Sequence, residues 1–360
     1  MTMGRSIRWG ILGTAKIARN LFLPSLREAG GDPAAVAGRD TDRTAQWAAD
    51  NGIGRAVTGY QDLVDDPGID ALYIPLPNAL HGEWTIIALE AGKPVLCEKP
   101  LTGSVARTER VLAVARETGT PLWEAFAFPF HDQMARLRGI LADGVIGDLR
   151  EIQSDFHFLM SDPETNVRMF ADLEGGALLG VGCYPVRLAR DLFGAEHEGA
   201  WARAEFAPGG VDRATWGCLD FPGGRHLYLS CGFGRADDTF TRLLGTGGQI
   251  HVTNPFHPGA HDTFVVCQKG RPPVTQRSIG PYRQSFTPLI RHIQAVIRDE
   301  DGPRLLAADT ALGSARALHD LAEAAKAPRR RNGALSQRGV PGGRPPGPAG
   351  LRPRDKGTGP

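Results

Sequence analysis

Two ionisable residues lie at the end of an apolar run, where charge is rarely found. Glu98 and Lys99 follow residues 94–97 and precede Pro100. A charged side chain at the end of a buried strand is costly unless it is paired or belongs to a site. The carboxyl ends of parallel strands are also where doubly wound proteins bind ligands. Lys99 is therefore our first catalytic candidate, aimed by a sharp or cis bend at Pro100. A Glu98–Lys99 ion pair is the alternative.

The second candidate is Tyr184, within the glycine-rich residues 174–187, EGGALLGVGCYPVR. Glycine loses much conformational entropy on folding, so this density indicates backbone that turns sharply or lies against something. A free tyrosine has a pKa of about 10, and a nearby ammonium such as that of Lys99 lowers it. We expect Tyr184 to exchange a proton with substrate, and Lys99 to lower the tyrosine's pKa and bind the reacting oxygen. A buried aromatic with a bonded hydroxyl is the alternative.

The elements that position these residues alternate between short apolar runs and helical patterns. The apolar runs are residues 7–12, 34–38, 71–76, 94–100 and 121–128. The stretches between them have helical spacing, and several end in glycine. Strands buried on both faces that alternate with helices predict a doubly wound parallel sheet. We therefore expect an α/β Rossmann domain over residues 1–125.

The first turn of this sheet carries the evidence for a cofactor. Residues 10–18 read GILGTAKIA, which matches GxGxxG as one glycine and two alanines. Because the turn leaves a strand and opens a helix, its N–H groups are expected to bind a pyrophosphate. A tight turn without a ligand is the alternative. The residues predicted to bind the dinucleotide here are Gly10, Gly13, Thr14, Ala15, Lys16 and Ile17.

Later strand ends complete the predicted cofactor site. The second strand ends in AGRD, where Arg39 suits the 2′-phosphate of NADP and Asp40 the ribose of NAD. Arg39 comes first, so we expect NADP, with NAD as the alternative. Asn78 has a second interpretation as a helix cap, and His81 as a residue of the first helical turn. The other predicted cofactor contacts are Pro77, Asn78, His81, Glu98 and Lys99.

The pattern changes after Gly144 to strand-like stretches separated by Gly and Pro. We predict a C-terminal α+β domain over residues 126–327, with a large, mostly antiparallel open sheet and helices over 288–298 and 307–326. Signatures such as GxSxG and HExxH are absent. His131, at the domain junction, and Arg168 are candidate substrate-binding residues. For His131 a structural role is the alternative.

Composition excludes several classes of protein. The 360 residues are 22% charged and 41% hydrophobic, as in globular proteins. No apolar run approaches the ~20 residues of a membrane span, and residues 1–12 lack a signal-peptide pattern. Five cysteines without a CxxC pair indicate reduced thiols rather than disulfides or zinc. We expect a cytoplasmic protein with a small-molecule substrate and no metal, nucleic-acid or membrane partner.

Residues 328–360 form a separate segment. They contain seven Arg and one Lys against one Asp, with seven Pro and eight Gly. Such a stretch has too few apolar residues to build a core, so we predict a disordered basic tail. Contact with nucleic acid or an anionic surface is the alternative.

Five stretches, in this order, resemble the glucose-fructose oxidoreductase/inositol dehydrogenase family, often called Gfo/Idh/MocA. They are GILGTAKIA, AGRD, YIPLPNALH, ALEAGKPVLCEKPL and GGALLGVGCYPV. The resemblance covers roughly residues 5–325, and EKP is its most specific part. It implies NAD(P)-dependent hydride transfer at a hydroxyl or keto carbon of a sugar, cyclitol or diol. It also implies an open sheet that pairs subunits, and hence a homo-oligomer, a dimer or tetramer. Lys99 matches the EKP lysine, and Tyr184 the family's acid/base position.

The glycine-rich stretch departs from the family pattern at two positions. Many relatives read GGGxLxDxGxH or GGGxLxDxGxY there. Gly180 stands where those relatives have an aspartate that helps to hold substrate, and Glu174 replaces the first glycine.

Two other functions remain open from the resemblance. One is a ketoreductase acting on nucleotide-linked deoxysugars, of the dTDP-hexose 3-ketoreductase type, with Arg168, Arg187 and Arg190 available for a diphosphate. The other is a non-catalytic NAD(P)-binding regulator, which would need neither Lys99 nor Tyr184.

Overall fold

Six short strands near the N-terminus form a parallel sheet. The computed structural model describes residues 6–259, 262–277, 282–299 and 308–327, so the predicted tail at 328–360 lies outside the described residues. The six strands are β1 (Arg8–Leu12), β2 (Asp32–Gly38), β3 (Ala56–Thr58), β4 (Ala71–Ile74), β5 (Val95–Cys97) and β6 (Leu122–Glu124). Their order is β3-β2-β1-β4-β5-β6, with every pairing parallel. The predicted doubly wound sheet is confirmed. The unpredicted β3 is short and largely exposed, and so lacks an apolar run.

Five helices connect these strands. They are α1 (Leu23–Glu28), α2 (Thr41–Asp50), α3 (Gln61–Val64), α4 (Asn78–Glu90) and α5 (Val105–Thr118). Asp40 caps α2 by accepting the Arg43 N–H, and Ser104 caps α5 in the same way. A π-helical turn, Ala18–Phe22, precedes α1. Because Pro24 has no N–H to donate, it interrupts regular helical bonding there.

A second sheet of nine strands follows. Its strands are β7 (Leu149–Leu159), β8 (Gly199–Phe206), β9 (Asp212–Phe221), β10 (Arg225–Gly232), β11 (Gly234–Asp238), β12 (Thr241–Gly245), β13 (Gly248–Val252), β14 (Thr263–Gln268) and β15 (Val274–Arg277). The order is β15-β14-β13-β12-β7-β10-β9-β8, and β11 also pairs with β7. Only the β7/β10 pairing among the described strands is parallel. The predicted mostly antiparallel sheet is confirmed.

Four further helices cover the sheets. They are α6 (Asp132–Ala142), α7 (Cys183–Phe193), α8 (Thr287–Ile297) and α9 (Ala308–Lys326). Residues of α7 and α9 share one apolar core with the second sheet. Helix α8 returns instead to the first sheet, where Leu289 and Ile293 pack in the core that contains Leu23 and Leu26. The division into domains at residue 125 stays a prediction.

The other face of the second sheet is partly uncovered. Trp201, Trp216 and Tyr228 are 51, 43 and 46% exposed there. His226 also lies on this face, with its Nδ1 2.8 Å from a carboxylate oxygen of Asp220. All five cysteines are free. No helix in the described part of the chain is long and apolar enough to cross a bilayer.

The core of the second sheet generates a stability prediction. Leu243 on β12 is fully buried, so Leu243→Ala removes packed methyl groups and leaves a cavity. We expect the free energy of unfolding to fall by about 3 kcal/mol in urea denaturation. Leu159→Ala is the matched control, since that side chain is 67% exposed and its loss should cost less than about 0.5 kcal/mol. Equal losses in both variants would contradict the burial described here.

Candidate active site

A cavity of about 980 Å³ lies at the carboxyl ends of the first-sheet strands and extends to the second sheet. The lining residues from the first sheet and its connections include all the predicted cofactor residues except Gly10. Gly10 is buried within β1, where a Cβ atom would approach the Leu72 side chain to 2.8 Å. Its smallness therefore serves packing of the sheet. The cavity occupies the crevice at strand ends where doubly wound folds bind ligands.

The turn after β1 fits a dinucleotide. Gly13 has a φ of +102°, a conformation that L side chains rarely adopt, and its N–H donates to the Ala37 carbonyl at 2.7 Å. The backbone that follows, from Thr14 to Ile17, lines the cavity and enters the first helix. N–H groups in a helix's first turn have no partner within the helix and so suit a pyrophosphate. The turn thus has the form that the cofactor requires.

Cationic side chains line the cavity near the end of β2. Arg39 follows β2 and Arg43 lies one turn into α2, and both line the cavity together with Thr44. Arg43 was not singled out from the sequence. Its position one helical turn beyond the AGRD segment was the available signal. Two guanidinium groups at the end of β2 match the place where a 2′-phosphate is recognised.

Asn78 and His81 hold the cavity wall together. Asn78 is the first residue of α4, and its side-chain amide donates to the Glu174 carbonyl oxygen at 2.8 Å rather than capping the helix. The His81 ring is buried, with Nδ1 2.8 Å from the Pro100 carbonyl oxygen and Nε2 2.7 Å from that of Leu76. Both residues line the cavity, and Pro77 lies beside them. The His81 ring therefore lies between the ends of two strands, and in its neutral form one of its two nitrogens donates to a carbonyl oxygen.

Burial decides the charge of His81. Burial disfavours the protonated ring and lowers its pKa, whereas the contacts with the two carbonyl oxygens raise it. The Lys99 ammonium adds repulsion, and the pKa of His81 falls from its ordinary 6.5 to about 4. The ring is neutral at physiological pH.

Lys99 bridges the two halves of the cavity. The Lys99–Pro100 peptide bond is cis, as the sequence analysis allowed. The ammonium donates to the Gly180 carbonyl oxygen at 2.6 Å and lies 4.7 Å from the centroid of the Tyr184 ring. Glu98 accepts instead from the Tyr73 hydroxyl at 2.7 Å, and burial raises the pKa of this carboxyl. The Lys99 side chain thus bonds to Gly180 in the second half of the chain.

Tyr184 lies at the inner end of the cavity among aromatic rings. Its centroid is 5.3 Å from that of Phe126, and 5.1 Å from those of Phe156 and Phe256. Burial, followed by the negative charge of Glu98, raises the pKa of Tyr184 well above its ordinary range. The expectation that Lys99 lowers this pKa is therefore wrong: the ammonium faces the ring, while desolvation of the phenol dominates.

The glycine-rich segment is shaped by packing against the protein itself. Gly176 has a φ of +111°, and a Cβ on Gly182 would approach the Cys231 sulfur to 2.9 Å. A π-helical turn, Leu178–Gly182, leads into α7 just before Pro185, as the turn before α1 does before Pro24. These constraints bring Gly180 and Tyr184 to the cavity wall.

The contacts of Glu174 account for one of the two departures in the glycine-rich stretch. Its φ is 54°, a conformation that favours glycine. The carboxylate forms an ion pair with Arg107, while the backbone carbonyl accepts from Asn78. Glu174 therefore adopts a left-handed conformation and joins the segment to α4 and α5.

The surroundings of Gly180 account for the other departure. A Cβ atom there would lie 3.2 Å from Phe233 Cζ and 3.6 Å from Arg168 Cδ. The Arg168 stem thus covers the space beside Gly180 that an aspartate would enter. Arg168 lines the cavity, and its role in binding substrate stays a prediction.

Three other residues lie outside this cavity. His131 is buried and caps α6, with its Nδ1 accepting from the Gln133 N–H at 3.1 Å. Arg187 pairs with Asp191, and Arg190 pairs with Glu196. The cap that His131 forms on α6 agrees with the structural alternative for this residue.

Sequence reasoning missed His257 and Phe156, which both line the cavity. His257 Nε2 lies 3.2 Å from the Tyr184 hydroxyl. The isolated NPFHP segment gave no periodic or motif signal, because only the fold of the second sheet brings it to Tyr184.

Comparison with known proteins agrees with this architecture. A family model described as "Oxidoreductase family, NAD-binding Rossmann fold" matches residues 7–126, and the "GFO/IDH/MocA C-terminal domain" model matches residues 134–251. The dTDP-3,4-didehydro-2,6-dideoxy-alpha-D-glucose 3-reductase of Streptomyces violaceoruber is 37% identical over 298 residues, 82% of this chain and 86% of that protein. Mouse trans-1,2-dihydrobenzene-1,2-diol dehydrogenase is 32% identical over 258 residues, covering 70% of this chain and 76% of that protein.

A solved structure extends the likeness to three dimensions. The crystal structure of a 3-ketoreductase from Actinomadura kijaniata, in complex with NADP and TDP-benzene, has a TM-score of 0.81 and 32% identity. The match covers 89% of this chain and 98% of that one.

The buried His81 predicts a pH-dependent stability. Its folded pKa of about 4 lies below the unfolded 6.5, so its contribution is present above pH 6.5 and is lost as the pH falls toward 4. The loss is at most about 1.4 kcal/mol per pH unit for one histidine. His81→Gln should be less stable at pH 7 but show a shallower fall between pH 6.5 and 4 in urea titrations. His319→Gln, exposed on α9, controls for loss of a histidine. A wild-type slope in His81→Gln would refute this origin.

Proposed function

The chain belongs to the Gfo/Idh/MocA family of oxidoreductases, and from this premise we propose that it reduces a keto carbon of a sugar with NADPH. Tyr184 is the proton donor, and Lys99 is the cation that binds the reacting oxygen. The observation that carries the proposal is the position of the Lys99 ammonium, whose nitrogen lies 4.7 Å from the centroid of the Tyr184 ring. Both groups lie beside the residues that fit the dinucleotide.

The protonated state of the Tyr184 hydroxyl at neutral pH suits its role as a proton donor. A phenol that stays protonated at neutral pH donates a proton to the oxygen of a carbonyl as that oxygen becomes an alcohol. The bound dinucleotide supplies the hydride. Lys99 already donates to a carbonyl oxygen, that of Gly180, which shows that a carbonyl acceptor can reach its ammonium. The two side chains together supply the proton and the positive charge that the reduction needs.

The proposed substrate is a nucleotide-linked deoxysugar. Two relatives described above are 3-ketoreductases, and the structure of one contains TDP-benzene. The cavity is also lined by the segment that contains Asp162 and Arg168. Because Arg187 and Arg190 are held by carboxylates elsewhere, the cation available here for a diphosphate is Arg168.

A diol dehydrogenase is the second candidate. Phe156 and Phe158 line the cavity and offer an apolar wall to a ring substrate. The mouse relative is a dehydrogenase of a dihydrobenzene diol. In this direction Tyr184 would accept a proton, which its raised pKa disfavours near neutral pH.

We also propose a homo-oligomer that forms through the open face of the second sheet. Trp201, Trp216 and Tyr228 are each more than 40% exposed on that face. Large aromatic side chains gathered on one surface are typical of protein interfaces.

Tyr184→Phe tests the catalytic assignment. It removes the donated proton but keeps the ring and its aromatic contacts, so we expect kcat for keto-sugar reduction to fall by about 10²–10⁴. NADPH affinity, measured by fluorescence titration, should stay within about twofold. Lys99→Met should also lower kcat, because the reacting oxygen loses its cation.

Tyr228→Phe is the matched control, since this tyrosine is exposed on the second sheet away from the cavity. It should retain wild-type activity. Full activity in Tyr184→Phe would overturn the assignment. Tight NADPH binding by the wild type without turnover of keto sugars, aldoses, cyclitols or diols would favour the regulator.

Arg39 and Arg43 test the choice of cofactor. The double variant Arg39→Ala/Arg43→Ala loses the guanidinium groups proposed to bind the 2′-phosphate. We expect the Kd for NADPH to rise about 10- to 100-fold while the Kd for NADH changes little. Arg110→Ala, exposed on α5, is the control. An equal loss of affinity for both cofactors would contradict 2′-phosphate recognition at this end of the cavity.

A further inference from the structure

The Tyr184 hydroxyl has a hydrogen-bonding neighbour that the proposed reaction has not yet used. His257 lies between β13 and β14, and its Nε2 is 3.2 Å from the Tyr184 hydroxyl oxygen. The two ring centroids are 5.3 Å apart. His257 lines the cavity with Tyr184 and Lys99, so the imidazole stands beside the proposed proton donor.

The backbone that carries His257 is tied in place. The Asn254 side-chain amide donates to the His257 carbonyl oxygen at 2.8 Å and to the Asp262 carboxylate at 2.9 Å. The carbonyl of Asn254 in turn accepts from the Gln133 side chain at 3.0 Å. These bonds connect the segment to α6 and to the start of β14. The His257 backbone is therefore held in position by groups other than Tyr184.

The charge state of the ring limits its possible role. Burial and the positive charge of Lys99 lower the pKa of His257 to about 4, so the imidazole is neutral at pH 7. A neutral imidazole carries one N–H group and one acceptor nitrogen. Nε2 faces the phenol, which in the proposed reaction must give its proton to the substrate. If Nε2 accepted that proton in a hydrogen bond, the phenol could not direct it at the substrate.

We propose that His257 is a positioning residue for Tyr184, whose Nε2–H donates to the phenol oxygen. This bond leaves the phenol proton free to point into the cavity. In the reaction the phenol O–H bond breaks and the substrate O–H bond forms, while the carbon receives the hydride of NADPH. The negative charge left on the Tyr184 oxygen is then stabilised by the Nε2–H group. The inference rests on the proposed function.

Kinetics of His257 variants test this role. His257→Phe keeps an aromatic ring but removes the donor, so kcat should fall about 10- to 100-fold with KM and NADPH affinity within about twofold. His257→Gln, whose amide can donate, should restore part of kcat. In the Tyr184→Phe background, His257→Phe should have no further effect, because it acts through the phenol. His319→Gln is the control.

An equal loss of kcat in both backgrounds would overturn the inference, as would an unchanged kcat in His257→Phe. A loss that is not restored in part by His257→Gln would also count against a donor role.

Nitrogen-15 NMR of the histidine rings tests the hydrogen bond without relying on turnover. The wild type should show His257 protonated on Nε2, with a shift that changes in Tyr184→Phe but not in Tyr228→Phe. A ring protonated on Nδ1 would overturn the inference even if Tyr184 is the proton donor. A wild type that binds NADPH but turns over no substrate would overturn the proposed function, and with it any catalytic role for the observed bond.

Discussion

The hydrogen bond from the Lys99 ammonium to the Gly180 carbonyl oxygen joins the two halves of the site. An amine at the end of a buried strand needs an acceptor, and here the acceptor comes from a residue 81 positions away. The bond fixes the start of α7, and hence the distance from Lys99 to the Tyr184 ring. The cation–phenol geometry therefore depends on how the parallel sheet and the glycine-rich segment meet.

Two helices bordering the cavity share a way of starting. Each begins with a π-helical turn, Ala18–Phe22 or Leu178–Gly182, just ahead of a proline near the start of the α-helix that follows. Proline cannot donate to the residue four positions earlier, so a wider turn accommodates it. One turn follows the dinucleotide loop, and the other presents the Gly180 carbonyl to Lys99. Local backbone chemistry thus shapes both walls, although apolar spacing alone indicates an ordinary helix for the first.

Features encoded within short stretches could be predicted from the sequence, and features set by distant contacts could not. The strand that precedes Lys99 and the turn at Gly13 are local, and the parallel sheet followed from their repetition. His257 reaches Tyr184 across 73 residues with no shared pattern. The predicted direction of the Tyr184 pKa shift was wrong for a related reason. Residue types reveal a nearby cation, but the desolvation that outweighs it depends on the aromatic rings gathered by folding.

The absence of an aspartate at Gly180 changes the electrostatics of the site rather than merely leaving space. With no side chain there, the Arg168 stem packs within 3.6 Å of the position that a Cβ would occupy. A carboxylate at this position would lie beside both Lys99 and Arg168 and would compensate their charge. Without it, the positive charge of Lys99 and Arg168 is not compensated at this position, and the carboxyl of Glu98 accepts a hydrogen bond from Tyr73. Such a site favours an oxygen that gains negative charge as it reacts and a substrate that is itself anionic. The proposed substrate, a phosphate-bearing sugar whose carbonyl is reduced, has both properties, whereas a neutral diol lacks the anionic charge.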